Sequence, residues 1–276
     1  MRISMSILAK LTPYIFLIML PAYSYAQPHN MPGSITLSYS DGRVATQGVE
    51  KINEALRPIG VRVSRFALPT STLPILKVSN ERALNSDEKT TILNTFSSHR
   101  GELLNQIKLA GREPEAHRGG FLSSSEVGAE PYPKVYDLQT MTPEIMSLAN
   151  KKYGRLHVNS SDNGMGVDEF ASVLSGGPWT WFFVLPDNVI VNLSFGVVGL
   201  DGNGWHISYP GLGPHGGFLD ARSGVSVAYA HGPKNFVMRY EEPSVKSAEL
   251  LGTNAWIDFT GKIPKLLDGK TTKRTR

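Results

Sequence analysis

The sequence predicts an α+β protein in which a mixed, helix-bearing N-terminal part packs on a C-terminal antiparallel β-barrel. Between Val49 and Gly154, apolar residues recur at helical spacing between good start and stop residues. From Arg155 to about Gly261 they give way to short runs of Val, Ile, Phe, Trp and Tyr divided by Gly, Pro, Asn and Asp, the texture of a sandwich or barrel. Cysteine is absent, so no disulfide or thiolate metal site exists and a buried core must hold the chain together.

Residues 1–26 have the three parts of a cleavable signal peptide. Arg2 and Lys10 are positive, Tyr14 to Leu20 is a short apolar run broken by Pro21, and Ser24 and Ala26 are the small pair a signal peptidase reads. The run is shorter than the about 18 apolar residues that cross a bilayer. No cysteine follows it to carry a lipid. The expectation is a periplasmic or secreted protein that begins at Gln27 and has no membrane anchor after cleavage. Cleavage removes two positive charges, so the formal net charge falls from +4 to +2. Residues 265–276 read as a disordered basic tail. No basic patch is interleaved with aromatics, which argues against nucleic acid as a partner.

Residues 27–133 form the mixed N-terminal region and its connecting loop. Gln27 to Gly42 is a polar lead. Val49 to Leu56 has apolar residues on one helical face, and Pro58 and Gly60 stop it. Val61 to Leu68 alternates as a strand does, and Pro74 to Val78 reads as a second short strand. A helix or helix pair is predicted over 86–110, with Ser86 as N-cap and Asp87 and Glu88 in the first turn. Gly111 to Pro133 is loop-like.

Residues 134–264 form a helix followed by the barrel. Thr142-Pro143-Glu144 starts that helix, which ends near Gly154. The predicted strands are 156–158, 179–185, 189–195, 204–209, 225–229 and 235–240, with a hairpin turn at Pro186-Asp187-Asn188. Trp179, Trp181, Phe182 and Phe183 read chiefly as core, because aromatic side chains dominate buried area.

Four of the seven histidines, His157, His206, His215 and His231, fall in this β-rich region. His157-Val-Asn159 is followed by Asp168-Glu169-Phe170, an apolar run to Gly176-Gly177, an aromatic strand, and much later His231. Over about residues 155–240 this order resembles the cupin superfamily, in its metal-dependent dioxygenase branch. The resemblance implies a double-stranded β-helix barrel holding a divalent metal (Fe, Ni, Mn or Zn). It assigns His157, Glu169 and His231 as ligands, and Asn159 stands where a second histidine is expected. Inside such a barrel His206, His215, Trp181 and Tyr229 are the candidate contacts to a small-molecule substrate. The alternative is a metal-free envelope or secreted binding protein without catalytic activity.

Tyr209 to Gly217 holds four glycines, two prolines and His215, and reads either as a rim loop giving backbone N–H groups to a ligand or as a long hairpin loop. It matches neither a P-loop nor a dinucleotide fingerprint. Asp162 to Glu169 lacks the alternating acidic residues of a calcium loop. Ser123-Ser124-Ser125 lacks the elbow of a serine hydrolase.

Overall fold

The computed structural model of the protein describes residues 33–96, 105–106, 108–111, 134–220, 223–232 and 236–268. The expected signal peptide, most of the expected loop 111–133, the end of the expected basic tail and part of the helix expected over 86–110 lie outside the described residues.

The strands pair antiparallel, mostly with partners distant in sequence, and build two five-stranded sheets. They are β1 Ile35–Tyr39, β2 Thr46–Gln47, β3 Arg62–Ala67, β4 Lys134–Asp137, β5 Val158–Ser160, β6 Asp168–Gly176, β7 Trp179–Val184, β8 Ile190–Phe195, β9 Asn203–Tyr209, β10 His215–Leu219, β11 Gly224–His231 and β12 Val237–Arg239. Sheet I runs β10-β7-β8-β1-β2, and sheet II runs β3-β9-β6-β11-β4. Two short pairs lie apart from them, β12 with β5 and Ile257–Asp258 with Lys265–Leu266, so the first residues of the expected basic tail are paired and not disordered. Among the helices are α1 Val49–Leu56, α2 Leu73–Val78, α3 Ser86–Thr95 and α4 Pro143–Tyr153.

The expected β-rich, antiparallel architecture is present, with one correction. The described strands make two facing sheets and not a single closed barrel. Leu37, Val191, Leu193 and Phe195 from sheet I meet Val63, Val173, Trp205 and Ile207 from sheet II in one buried cluster. Both outer faces are also covered. Phe170, Leu174, Val225 and Val227 of sheet II pack with Leu76 of α2 and Ile92 of α3. Phe182, Val184, Ile190 and Phe218 of sheet I pack with Leu156, Trp256 and Ile257. Burial on both faces is why β8 is buried at every position and β6 at every position but its first.

The N-terminal part does more than pack on the β-structure. β1 pairs with β8 along its whole length, β3 pairs with β9, and β4 pairs with β11. The polar lead thus contains a strand of sheet I: Ile35, Leu37 and Tyr39 face the core between Thr36 and Ser38. Pro74 to Val78 is helical and not a strand. Leu73 and Pro74 open α2, and proline is well suited to a first helical turn. The N-cap of α3 is Asn85 and not Ser86. The Asn85 side chain accepts from Glu88 N–H at 2.9 Å, and the Glu88 carboxylate accepts from Asn85 N–H at 2.8 Å, a reciprocal capping box. The hairpin turn at 186–188 forms as expected, with Asn188 at φ 62° and its N–H donating to Leu185 O at 2.9 Å.

Candidate functional site

A cavity of about 520 Å³ lies between the sheets on the side where α4 and β12 close over them. It exists because small residues face each other there. Ala171, Ser226 and Ala228 on the inward face of sheet II, with Gly217 of sheet I, leave space that larger side chains fill elsewhere, and Thr180 and Gly216 also line it. Trp179 and Trp181 of β7, Phe218 of β10 and Phe236 beside β12 supply aromatic wall. Ile145 and Leu148 of α4 line it while 49% and 67% exposed, which marks the mouth.

One end of the cavity is polar. His157, Asn159, Glu169, Tyr209 and His215 all line it, and all five are buried. Backbone pairing brings them together. His157 N–H donates to His215 O at 2.8 Å and His215 N–H returns to His157 O at 3.0 Å, so the two rings sit 4.6 Å apart between centroids. Asn159 N–H donates to Gly211 O at 2.8 Å. Glu169 and Tyr209 are directly opposite across β6 and β9, on the inward face with Ala171, and the Tyr209 hydroxyl donates to the Glu169 carboxylate. Tyr209 is held between Phe183 and His215, at 5.5 and 4.8 Å between centroids.

The glycine-rich stretch serves this assembly through close backbone approach, and its end is a strand. A Cβ on Gly211 would meet Val167 O at 2.3 Å and Asn159 O at 2.5 Å, so only glycine lets these three chain segments touch. His215, Gly216 and Gly217 belong to β10, paired with Phe183, Phe182 and Trp181.

The directions of the hydrogen bonds follow from the backbone. Carbonyl oxygens only accept, so His157 Nδ1 donates to Arg155 O at 2.7 Å and His215 Nδ1 donates to Gly213 O at 2.7 Å. Both imidazoles are neutral near pH 7. Burial, with the neighbouring His215 ring, lowers His157 to about 3, and burial lowers His215 to about 4. Each therefore carries a lone pair on Nε2. The His215 lone pair accepts from Asn159 Nδ2 at 3.0 Å. That fixes the Asn159 amide, and leaves its Oδ1 buried with no hydrogen-bond partner. Tyr209 remains a phenol, since burial and then the Glu169 charge push it well above its ordinary value. Glu169 lies 3.7 Å from His215 Nε2, a contact without a shared proton in this state.

Of the residues singled out in the sequence, His157, Glu169, His215 and Trp181 line this cavity. His206 and Tyr229 do not, and their assignment as substrate contacts is corrected. His206 is on the outer face of sheet II, stacked on Phe66 at 3.9 Å and bonded through Nδ1 to Ser172 Oγ at 2.9 Å. Tyr229 shares that face, and its hydroxyl donates to Phe96 O at 2.6 Å. The reason is period two: along β11, Ser226 and Ala228 line the cavity while Val225, Val227 and Tyr229 pack under the helices. Position 231 shares the parity of the latter set, and its backbone pairs with Asp168. Asn159 and Tyr209 complete the polar end, and neither was among the candidate ligands or contacts.

No group of three or more His, Cys, Asp or Glu among the described residues could hold a metal ion. The donor set explains this. Of the expected ligands, Glu169 accepts from the Tyr209 hydroxyl and His157 donates its Nδ1–H to Arg155 O, while the His215 lone pair is taken by the Asn159 amide. No helix among the described residues is long and apolar enough to cross a membrane.

Fold and site together define a two-sheet antiparallel protein with an internal, one-ended polar cavity. No protein-family model matches the chain, and no curated protein matches it. Among solved structures it has a weak resemblance to an acireductone dioxygenase from Bacillus anthracis with a cadmium ion in its active centre. That resemblance is at 16% identity and a TM-score of 0.47, over 75% of this chain and 99% of that one.

Proposed function

We propose that this chain binds a small organic molecule in the cavity between its two sheets. The observation that carries the reading is the convergence of five buried polar residues at one end of an otherwise aromatic and aliphatic cavity, with the buried Asn159 Oδ1 lacking a partner. Cavities of this size and polarity, with a few convergent polar groups, are the usual form of a ligand site. The test is a thermal-shift screen of chemically diverse small molecules against the chain and against Ala228→Phe, whose side chain would fill the cavity. Ligands that raise the wild-type Tm and leave the variant's unchanged are the expected result. Equal shifts in both, or none in the wild type, overturn the reading.

The metal-free form of the function is favoured over the metal-dependent enzyme, because the donors engage each other and not a common point. Elemental analysis of the purified protein tests this, and a stoichiometric divalent metal would overturn it. Export to the periplasm or beyond is part of the same proposal. It rests on Arg2, Lys10, the Tyr14–Leu20 run and the Ser24/Ala26 pair. N-terminal sequencing of the mature protein should begin at Gln27, and an intact Met1 would refute it.

A further inference from the structure

We propose that the outer face of α4, at the cavity mouth, docks on an anionic phospholipid surface, with Ile145, Leu148 and Ile263 entering the bilayer interface and the neighbouring lysines meeting its phosphates. This goes beyond the cavity reading: it gives the face around the mouth a partner, and docking does not require an occupied cavity.

α4 is turned the opposite way from an ordinary surface helix, which buries its apolar stripe and shows water its polar one. Its buried residue is Asn150. The Asn150 side chain accepts from Leu219 N–H at 2.8 Å and donates to Leu219 O at 2.9 Å, which pins the helix to β10 at the edge of sheet I. Ile145 and Leu148, neighbours one turn apart, are thereby left facing outward, 49% and 67% exposed. The pair Ile257–Asp258 with Lys265–Leu266 lies alongside. Ser147 Oγ donates to Lys262 O at 3.1 Å, which sets Ile263, 60% exposed, next to the helix. Three large apolar side chains therefore share one exposed face, whereas exposed Val44 and Leu200 lie in the loops after β1 and β8.

The charge around this face names the partner. Over residues 143–155 and 257–266, Lys151, Lys152, Arg155, Lys262 and Lys265 stand against Glu144 and Asp258. Asp258 is opposite Lys265 in the hairpin, and Glu144 is in the first turn of α4, where the helix dipole favours a carboxylate. Lys151, Lys152 and Lys262 remain, all exposed. Apolar side chains for the acyl boundary beside lysines for the headgroups are the composition of a helix that lies on an anionic membrane. Lysine is depleted in protein–protein interfaces, which argues against a protein on this face. The cavity opens here too: Ile145, Leu148 and Lys152 line it, so an apolar molecule dissolved in the bilayer would reach the cavity without crossing water.

The test is vesicle flotation of the mature protein with phosphatidylcholine alone and with phosphatidylcholine containing one third phosphatidylglycerol. Binding to the anionic vesicles should be roughly tenfold or more tighter than to the neutral ones, and should weaken when salt is raised from about 0.1 M to about 0.5 M. Ile145→Ser with Leu148→Ser should abolish it, and Val44→Ser with Leu200→Ser, the same change at exposed sites elsewhere, should leave it intact. Lys151→Gln with Lys152→Gln should remove the preference for the anionic vesicles. No binding to the anionic vesicles, equal binding by wild type and the Ile145/Leu148 variant, or an anionic preference that survives the lysine changes overturns the proposal. Self-association without vesicles that the Ile145/Leu148 variant relieves, in place of flotation, overturns it in favour of a contact between copies of this chain. The lysine pair is exposed and keeps the test decisive should the serine pair fail to fold.

Discussion

Acid should unfold this protein in a pH window set by its buried histidines. His157, His206 and His215 are held neutral chiefly by burial, at about 3, about 4 and about 4 against 6.5 in the unfolded chain. The folded pKa values lie below the unfolded one, so the unfolded chain takes up protons first as the pH falls. Stability is therefore full above about pH 7, is lost progressively below 6.5, and goes on falling until the folded pKa values are reached. Each histidine contributes a slope of about 1.4 kcal/mol per pH unit once its unfolded form is protonated. Three together make a loss of roughly 3–4 kcal/mol between pH 6 and pH 5, a large share of the roughly 5–15 kcal/mol that a domain has. Urea unfolding at constant ionic strength, at half-unit steps from pH 7.5 to 4.5, measures this directly. His206 gives the internal control, because it lies on the opposite face of sheet II from the cavity. In His206→Gln the slope should fall by one proton, about a third, while the plateau above pH 7 shifts without changing slope. A wild-type slope of less than one proton between pH 6 and pH 5 would refute the burial argument.

Two substitutions separate the cavity from the scaffold. Tyr209→Phe removes the hydroxyl that satisfies the buried Glu169 carboxylate, and should cost about 1–3 kcal/mol in urea unfolding while also weakening cavity ligands; a stability change within error would mean that the bond is not made. Tyr229→Phe removes the bond from sheet II to Phe96 O, and should cost about 1 kcal/mol with ligand affinity unchanged, so a loss of affinity would contradict its place on the outer face.

The sequence was most legible where one face of an element meets water or a turn has its own chemistry. α1 shows its buried Ile52 and Leu56 against exposed Lys51 and Glu54, and α4 shows the Thr142 cap, whose hydroxyl accepts from Ile145 N–H at 3.3 Å. The hairpin strands β7 and β8 were readable from Asn188 between apolar runs. β6 does not stand out in the sequence because both its faces are buried, which erases the alternation that marks a strand. β1 alternates as a strand does, with Ile35, Leu37 and Tyr39 against Thr36 and Ser38, but it is only five residues long and lies within a lead rich in polar residues, Pro and Gly that masks it. Pro74 misled for the opposite reason: a short apolar run of five residues fits a strand or a helical turn equally well, and only the packing of Leu76 against sheet II decides.

At the site, residue type was readable and face was not. His157 and Glu169 stand out in a strand-rich region, and the structure puts both at the cavity together with His215 from within the glycine-rich stretch. Nothing local announces that pairing, since 58 residues separate the two backbone partners and it depends on Gly211 letting three segments touch. Asn159 illustrates the same point chemically. In sequence it is an imperfect metal ligand; in the structure its amide caps one imidazole and its carbonyl is left without a partner, which makes it the residue that most directly asks for a donor from outside the chain. Which nitrogen of each buried imidazole carries the proton is decided by Arg155 O and Gly213 O, atoms every residue possesses and no sequence pattern distinguishes.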